Sequence, residues 1–291
     1  MSSFGSGERL FAGSVLVAAM AVAVMAVAAM AMASVAPAIA QQKAAPPDFS
    51  SGNAGWLTFN VDFSVVPGAT SPLRSDPAHP RVSNAEALRT GKQPTYFVAD
   101  LANAGILKAW VVERMKKDND EVLAGKIAFT PHSYCMPAGV PGYHLYGFQP
   151  LYFVQAPKEV VMIYSNDQQV RHVYLDVPHS LNVTPSWYGE SVGHYEGDTL
   201  VVDTIGLNDK TFVDNFRTPH TDKLHVVERF KVVDGGKAMQ VDITFEDPDA
   251  FNAPWSVTQR YNRVQAPMAE LVCAENNEQF FKIPVADKPD F

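Results

Sequence analysis

Cysteine is nearly absent from this 291-residue chain, which holds two, and from Leu10 to Gln42 no residue carries a charge. So few cysteines exclude a disulfide-dense scaffold, and neither Cys135 nor Cys273 has the C-x-x-C spacing of a zinc or thiol-redox motif. Basic clusters are also missing. Lys and Arg number 23 against 31 Asp and Glu, a formal charge of −8 with no cationic stripe, which excludes a nucleic-acid partner. There is no P-loop, no dinucleotide fingerprint and no H-x-H or H-E-x-x-H metal spacing. The string Gly189-Glu190-Ser191-Val192-Gly193 looks like a nucleophile elbow. It precedes a predicted strand, however, and does not join a strand to a helix, so Ser191 is not read as a nucleophile.

What the first 40 residues contain is a leader. Leu10 to Met32 is almost all Ala, Val, Met and Leu, and Ala38-Ile39-Ala40 puts small residues at −3 and −1 of a peptidase site. The reading is a bacterial signal peptide over residues 1–40, cleaved near Ala40, with the product periplasmic or secreted and free of the membrane. The alternative is a retained anchor, because the run is long enough to span a bilayer. Residues 41–55 are polar and Pro-rich and read as a flexible tether.

Beyond the tether the sequence predicts a mainly β protein. Alternation suggests a strand from Trp56 to Val65, and residues 66–98 read as irregular with one helical turn at Asn84–Leu88. The clearest helix is predicted over Leu101–Ala124, with Leu107, Val111, Met115 and Val122 near one face. From about residue 150 the period is 2. Strands are expected at 151–155, 159–165, 168–176, 191–196, 199–205, 224–233, 238–246, 255–264 and 270–275, with tight turns at Gly197-Asp198 and Gly235-Gly236. Short turns without intervening helices exclude a βαβ sheet. The expected fold is an antiparallel up-and-down, lipocalin-like barrel, or a strongly curved sheet, over residues 131–291. Residues 56–130 would supply a strand, an irregular segment and a helix packing on it. A barrel of this size can enclose one small ligand.

In an oxidising compartment two cysteines favour a Cys135–Cys273 disulfide, closing a loop of about 140 residues. Buried free thiols and a Cys-containing metal site are the other readings.

Candidate chemistry concentrates between His172 and Arg229. Glu228 lies among Leu224, Val226 and Phe230 on one strand face, so it is expected to point inward and to need a cation, with Arg171, Arg229 and Arg260 as candidates. Asp203, between Val201 and Ile205, reads the same way. Such carboxylates are either structural ion pairs or acid–base catalysts tuned by burial. His179, His194, His220 and His225 fall within 47 positions. They are read as hydrogen-bonded loop residues, as acid–base catalysts or, with a carboxylate, as a divalent-metal set; no cofactor is otherwise implied.

Cys135-Met136-Pro137-Ala138-Gly139-Val140-Pro141, Ser186 to Gly193, Glu196-Gly197-Asp198-Thr199-Leu200-Val201-Val202-Asp203-Thr204 and Pro219-His220 to His225-Val226-Val227-Glu228-Arg229-Phe230 form long motifs. Through them the chain resembles a widespread family of uncharacterised exported bacterial proteins, over roughly residues 100–280. The resemblance implies export and a shared β fold, and its Cys273-Ala274-Glu275-Asn276-Asn277 stretch supports the cysteine pairing. It implies no particular reaction.

Two functions follow. One is a periplasmic enzyme, a hydrolase or a lyase/isomerase, acting on a small, largely apolar or aromatic molecule. His220, His225, Asp203 and Glu228 would be catalytic at a barrel mouth, and His179, Tyr174, Trp187, Tyr195 and Arg229 would bind substrate. The other is a non-catalytic carrier barrel for a small hydrophobic ligand. Convergence of His179, His220 and His225 on an inward carboxylate at an open cavity favours the enzyme. Scattered imidazoles favour the carrier.

Overall fold

A computed structural model describes residues 45–273 and residue 288, apart from 51–53, 70, 73, 96, 103, 146–148 and 167–168. The expected leader, and the family motif past Cys273, lie outside the described residues. Among the described residues no helix is long and apolar enough to cross a membrane.

Among the described residues ten strands run in chain order as β1 (Ala54–Leu57), β2 (Ser64–Val65), β3 (Leu151–Ala156), β4 (Glu159–Tyr164), β5 (Gln169–Leu175), β6 (Glu190–Glu196), β7 (Thr199–Ile205), β8 (His225–Val233), β9 (Ala238–Glu246) and β10 (Trp255–Gln265). The helices α1 (Asn84–Thr90) and α2 (Ala109–Leu123) precede β3. Strands β3 to β10 follow in sequence order, and β1 closes the ring by pairing with both β3 and β10. The result is a closed nine-stranded barrel, with β2 added beside β10. Closure leaves little open sheet edge, the exception being β5, whose pairing with β6 covers only Val173–Leu175.

The alternation read from the sequence is the alternation that fills the barrel. Val241, Ile243 and Phe245 of β9, Val257 and Tyr261 of β10 and Val226 and Phe230 of β8 are buried inward, in one cluster with Trp56, Phe153 and Met162. At about 25 cal/mol per Å² of apolar surface removed from water, a cluster of this kind dominates the stability. Among the described residues, large side chains fill the interior as a packed core.

Five expectations are corrected. The first predicted strand breaks after Leu57, and β1 does not pack on the barrel but closes it. The tether ends early: Phe49 is fully buried, its ring stacks 5.2 Å from Phe153, and its carbonyl accepts the Trp56 indole N–H at 2.8 Å. The long helix begins only at Ala109. Leu107 bridges Phe251, and the Lys108 amide donates to the Ala250 carbonyl, which keeps this stretch extended. No strand forms at 270–272, so Cys273 is not held by a ladder; it is bonded to Cys135, with Cα atoms 5.6 Å apart.

The expected mainly β, largely antiparallel barrel is what forms, and the fifth correction is one parallel pair within it. Neighbouring strands are antiparallel except β5 and β6, which run parallel. A 14-residue crossing, residues 176–189, carries the chain back across the outside of the wall before β6 starts. Gly193 makes the contact close: a Cβ there would sit 2.8 Å from both the Val173 side chain and the Val201 carbonyl.

Candidate functional site

Alternation along β8 turns Glu228 inward, as its apolar neighbours predict, and its carboxylate is fully buried. Arg171 of β5 faces it with two hydrogen bonds, Nη1 to Oε1 at 3.1 Å and Nη2 to Oε2. His144 Nε2 lies 2.7 Å from Oε1, and the Tyr143 hydroxyl donates to the same oxygen at 2.5 Å. The Tyr261 hydroxyl is 2.6 Å from His144 Nδ1. Arg171 spends its remaining donors on Ser191 Oγ at 2.9 Å, Thr204 Oγ1 at 2.7 Å and the Tyr143 hydroxyl at 3.0 Å.

Burial alone would raise the Glu228 pKa, but the adjacent Arg171 guanidinium and the His144 hydrogen bond outweigh it and hold the carboxyl at about 2. Burial lowers His144, so the imidazole stays neutral, donating from Nε2 and accepting the Tyr261 proton at Nδ1. Burial also raises Tyr143 and Tyr261, and neighbouring Glu228 adds to both shifts. The cluster is closed, with each polar group answered by another. Arg171 was among the three cations proposed for Glu228. Arg229 instead binds Glu196 at 2.6 Å, and Arg260 binds Asp234, both on the surface.

Asp203 is not in this cluster. In β7 the inward residues are Leu200, Val202 and Thr204, and Asp203 points out, its side chain 40% exposed. There His225 Nε2 lies 2.8 Å from Oδ1 and His179 Nε2 lies 3.1 Å from the same atom. The other ring nitrogens also face carboxylates, His179 Nδ1 with Glu190 Oε1 at 3.1 Å and His225 Nδ1 with Glu246 Oε2 at 3.4 Å. The His225 hydrogen bond lowers Asp203, and the same bond raises His225. Both ring nitrogens of each imidazole therefore face a carboxylate oxygen, which leaves neither ring a nitrogen directed at a substrate.

His220 belongs to neither group. It is buried in the irregular stretch 206–224, where its Nδ1–H donates to the Thr221 carbonyl at 2.8 Å and its Nε2 accepts from Thr211 at 2.7 Å. Burial lowers its pKa. The four residues proposed as catalytic thus divide among three places. Among the described residues no three His, Cys, Asp or Glu side chains are arranged to hold a metal. Sequence reasoning missed His144 and Tyr143. Both sit in a single 3-10 turn, Gly142–His144, too short for a periodicity to mark a direction.

The concave surface lies where β5 and β6 part. Their pairing covers only Val173–Leu175 against Ser191–Gly193, and beside the unpaired half of β5 a groove of about 470 Å³ opens. Val170, His172 and Tyr174 of β5 line it, together with Val183, Trp187 and Tyr188 and the polar Asn182, Thr184 and Ser186 of the crossing segment. The crossing segment is fixed at both ends. Val183 packs over Gly206, where a Cβ would come within 2.2 Å, and Ser186 exchanges backbone hydrogen bonds with Gly206 and Asn208. Near its start, His179 is tied to Asp203 and Glu190. Of the residues proposed to bind substrate, Tyr174 and Trp187 line the groove and His179 anchors its wall. Tyr195 instead receives a hydrogen bond from Gln155, which also holds Phe49. Arg229 stands apart.

Fold and site together define a closed β-barrel with a packed polar-centred core and an aromatic groove in its wall. Comparison with known protein families, curated proteins and solved structures yields no match.

Proposed function

We propose that this chain is an exported, non-catalytic binding protein for a small, largely apolar or aromatic molecule, which it holds in the groove between β5 and the 182–191 segment. The carrying observation is the groove itself: about 470 Å³, within the size range of small-ligand sites, and lined by Tyr174, Trp187 and Tyr188. Aromatic faces supply large apolar contact area with few rotors to freeze. Export rests on the charge-free leader with its Ala-x-Ala end and on the resemblance to exported bacterial proteins.

The catalytic reading would draw on the outer cluster of Asp203 with His179 and His225. The binding reading is preferred because those imidazoles already have carboxylates on both nitrogens, while His220 and Glu228 lie elsewhere, buried and paired.

Isothermal titration calorimetry with 3-methylindole tests the proposal. Saturable binding that weakens about tenfold in Trp187→Ala, equivalent to about 1.4 kcal/mol, is the expected result. Binding that is equally strong in Trp187→Ala and Tyr174→Ala would place the ligand somewhere other than the groove.

A further inference from the structure

The β5 strand is only half paired on its groove side. The Leu175 amide donates to the Lys158 carbonyl, and the Asp176 amide donates to the Gly193 carbonyl. Those two bonds fix the phase of the strand: odd-numbered residues address β4, even-numbered residues address β6. The parallel ladder begins at Val173 with Ser191. Below it, the N–H and C=O of Val170 and the N–H of His172 point along the sheet into the groove, and no strand among the described residues pairs with them. Side chains flank this edge on both sides of the sheet plane. Val170 and Tyr174 stand outward, each about half exposed, and Arg171 turns into the core.

We infer that the ligand taken by this groove is an extended peptide segment, bound through its main chain to the open edge of β5 as an added strand. The inference rests on the groove being the binding site and specifies what enters it. Three unpaired main-chain groups in ladder register are complementary to a peptide backbone, which can offer them acceptor, donor and acceptor in turn. The unpaired stretch, Val170 to His172, matches about three residues at ~3.3 Å per residue. Trp187 and Tyr174 then receive an aromatic or branched side chain.

Charge narrows the class further. Three ionisable side chains other than tyrosine line the groove, and all are engaged: Arg171 with Glu228, His172 with Glu159, and Glu190 with His179 and Ser180. None is available to hold a ligand carboxylate. Two of the three clusters bring acids to the rim, on a chain of net charge −8. The fitting ligand is therefore an internal or capped stretch of peptide that is neutral or basic, and not a free C-terminus.

The test is an NMR titration of the ¹⁵N-labelled protein with the blocked tripeptide acetyl-Val-Trp-Val-N-methylamide, compared with 3-methylindole, which has the same ring system and no amide. Expected is at least tenfold tighter binding of the tripeptide, with the amide signals of Val170 and His172 moving on saturation. N-methylating the peptide amide opposite Val170 removes that gain. Val170→Pro does the same, and it is tolerated because this N–H serves no ladder. Equal affinities for tripeptide, N-methylated tripeptide and 3-methylindole overturn the inference and leave the groove as an aromatic-binding site. If no ligand moves any groove signal, both the groove reading and the inference fall.

Discussion

Glu228 and Asp203 are carboxylates on adjacent strands, each bonded to histidine, and their surroundings give them opposite consequences. Glu228 is sealed in the core with Arg171, His144 and Tyr143. Asp203 sits on the outer wall between two partly exposed imidazoles. In the core, water cannot substitute for a lost partner, so each hydrogen bond is needed to offset the desolvation of the others. On the wall, solvent screens the charges and replaces any partner removed. The first cluster is a condition for folding. The second is a clip that can be opened without unfolding the barrel, and what it clips is the segment that forms one wall of the groove.

The largest expected effect is that of Glu228→Ala. It leaves the Arg171 guanidinium buried without its counter-charge and should cost about 3–5 kcal/mol of stability by chemical denaturation. A loss below about 1 kcal/mol would mean that water reaches the cluster and that the contrast with Asp203 is false.

The pH dependence separates the two clusters next. Glu228 titrates near 4.5 when unfolded and at about 2 when folded. Its contribution is complete above about pH 4.5 and is lost as pH falls toward 2. His144, kept neutral by burial, adds to the acid loss, because the unfolded chain takes up a proton below about pH 6.5 that the folded chain refuses. His225 has the opposite sign. Asp203 raises its folded pKa above 6.5, so its contribution is present below 6.5 and fades as pH rises through the folded value. Denaturation midpoints between pH 2 and 9 should therefore fall steeply on the acid side and slightly on the alkaline side. An alkaline loss larger than the acid one would reverse the assignment.

The smallest effect belongs to Asp203→Asn, with less than about 1 kcal/mol lost and the shallow alkaline slope flattened. Hydrogen exchange should quicken in the 176–189 crossing while the β8 and β9 amides keep their protection. Uniform loss of protection would show that the outer cluster is part of the cooperative core.

The inward placement of Glu228 was legible because β8 alternates cleanly, with Val226 and Phe230 on the same face and Arg229 and Lys231 on the other. The same reasoning failed at Asp203 because β7 is apolar on both faces. Val201 is buried on the outer face much as Val202 is on the inner one. Periodicity reports which residues share a face, and it cannot say which face is the interior when both are covered. His144 was invisible for a different reason. Its neighbours are irregular, and its direction is set by contacts with Glu228 and Tyr261, 84 and 117 positions away.

By itself the sequence determined a mainly β chain, most of its strand boundaries and the inward turn of Glu228, and it favoured the pairing of its two cysteines, all consequences of local alternation or of counting. Tertiary structure decided that β1 closes the ring, that β5 and β6 run parallel, that the inward side chains of the described strands pack into one core and that a groove opens in the wall. Those outcomes depend on which strands meet, and strand meeting is settled by packing between residues far apart in the chain, which no local pattern encodes.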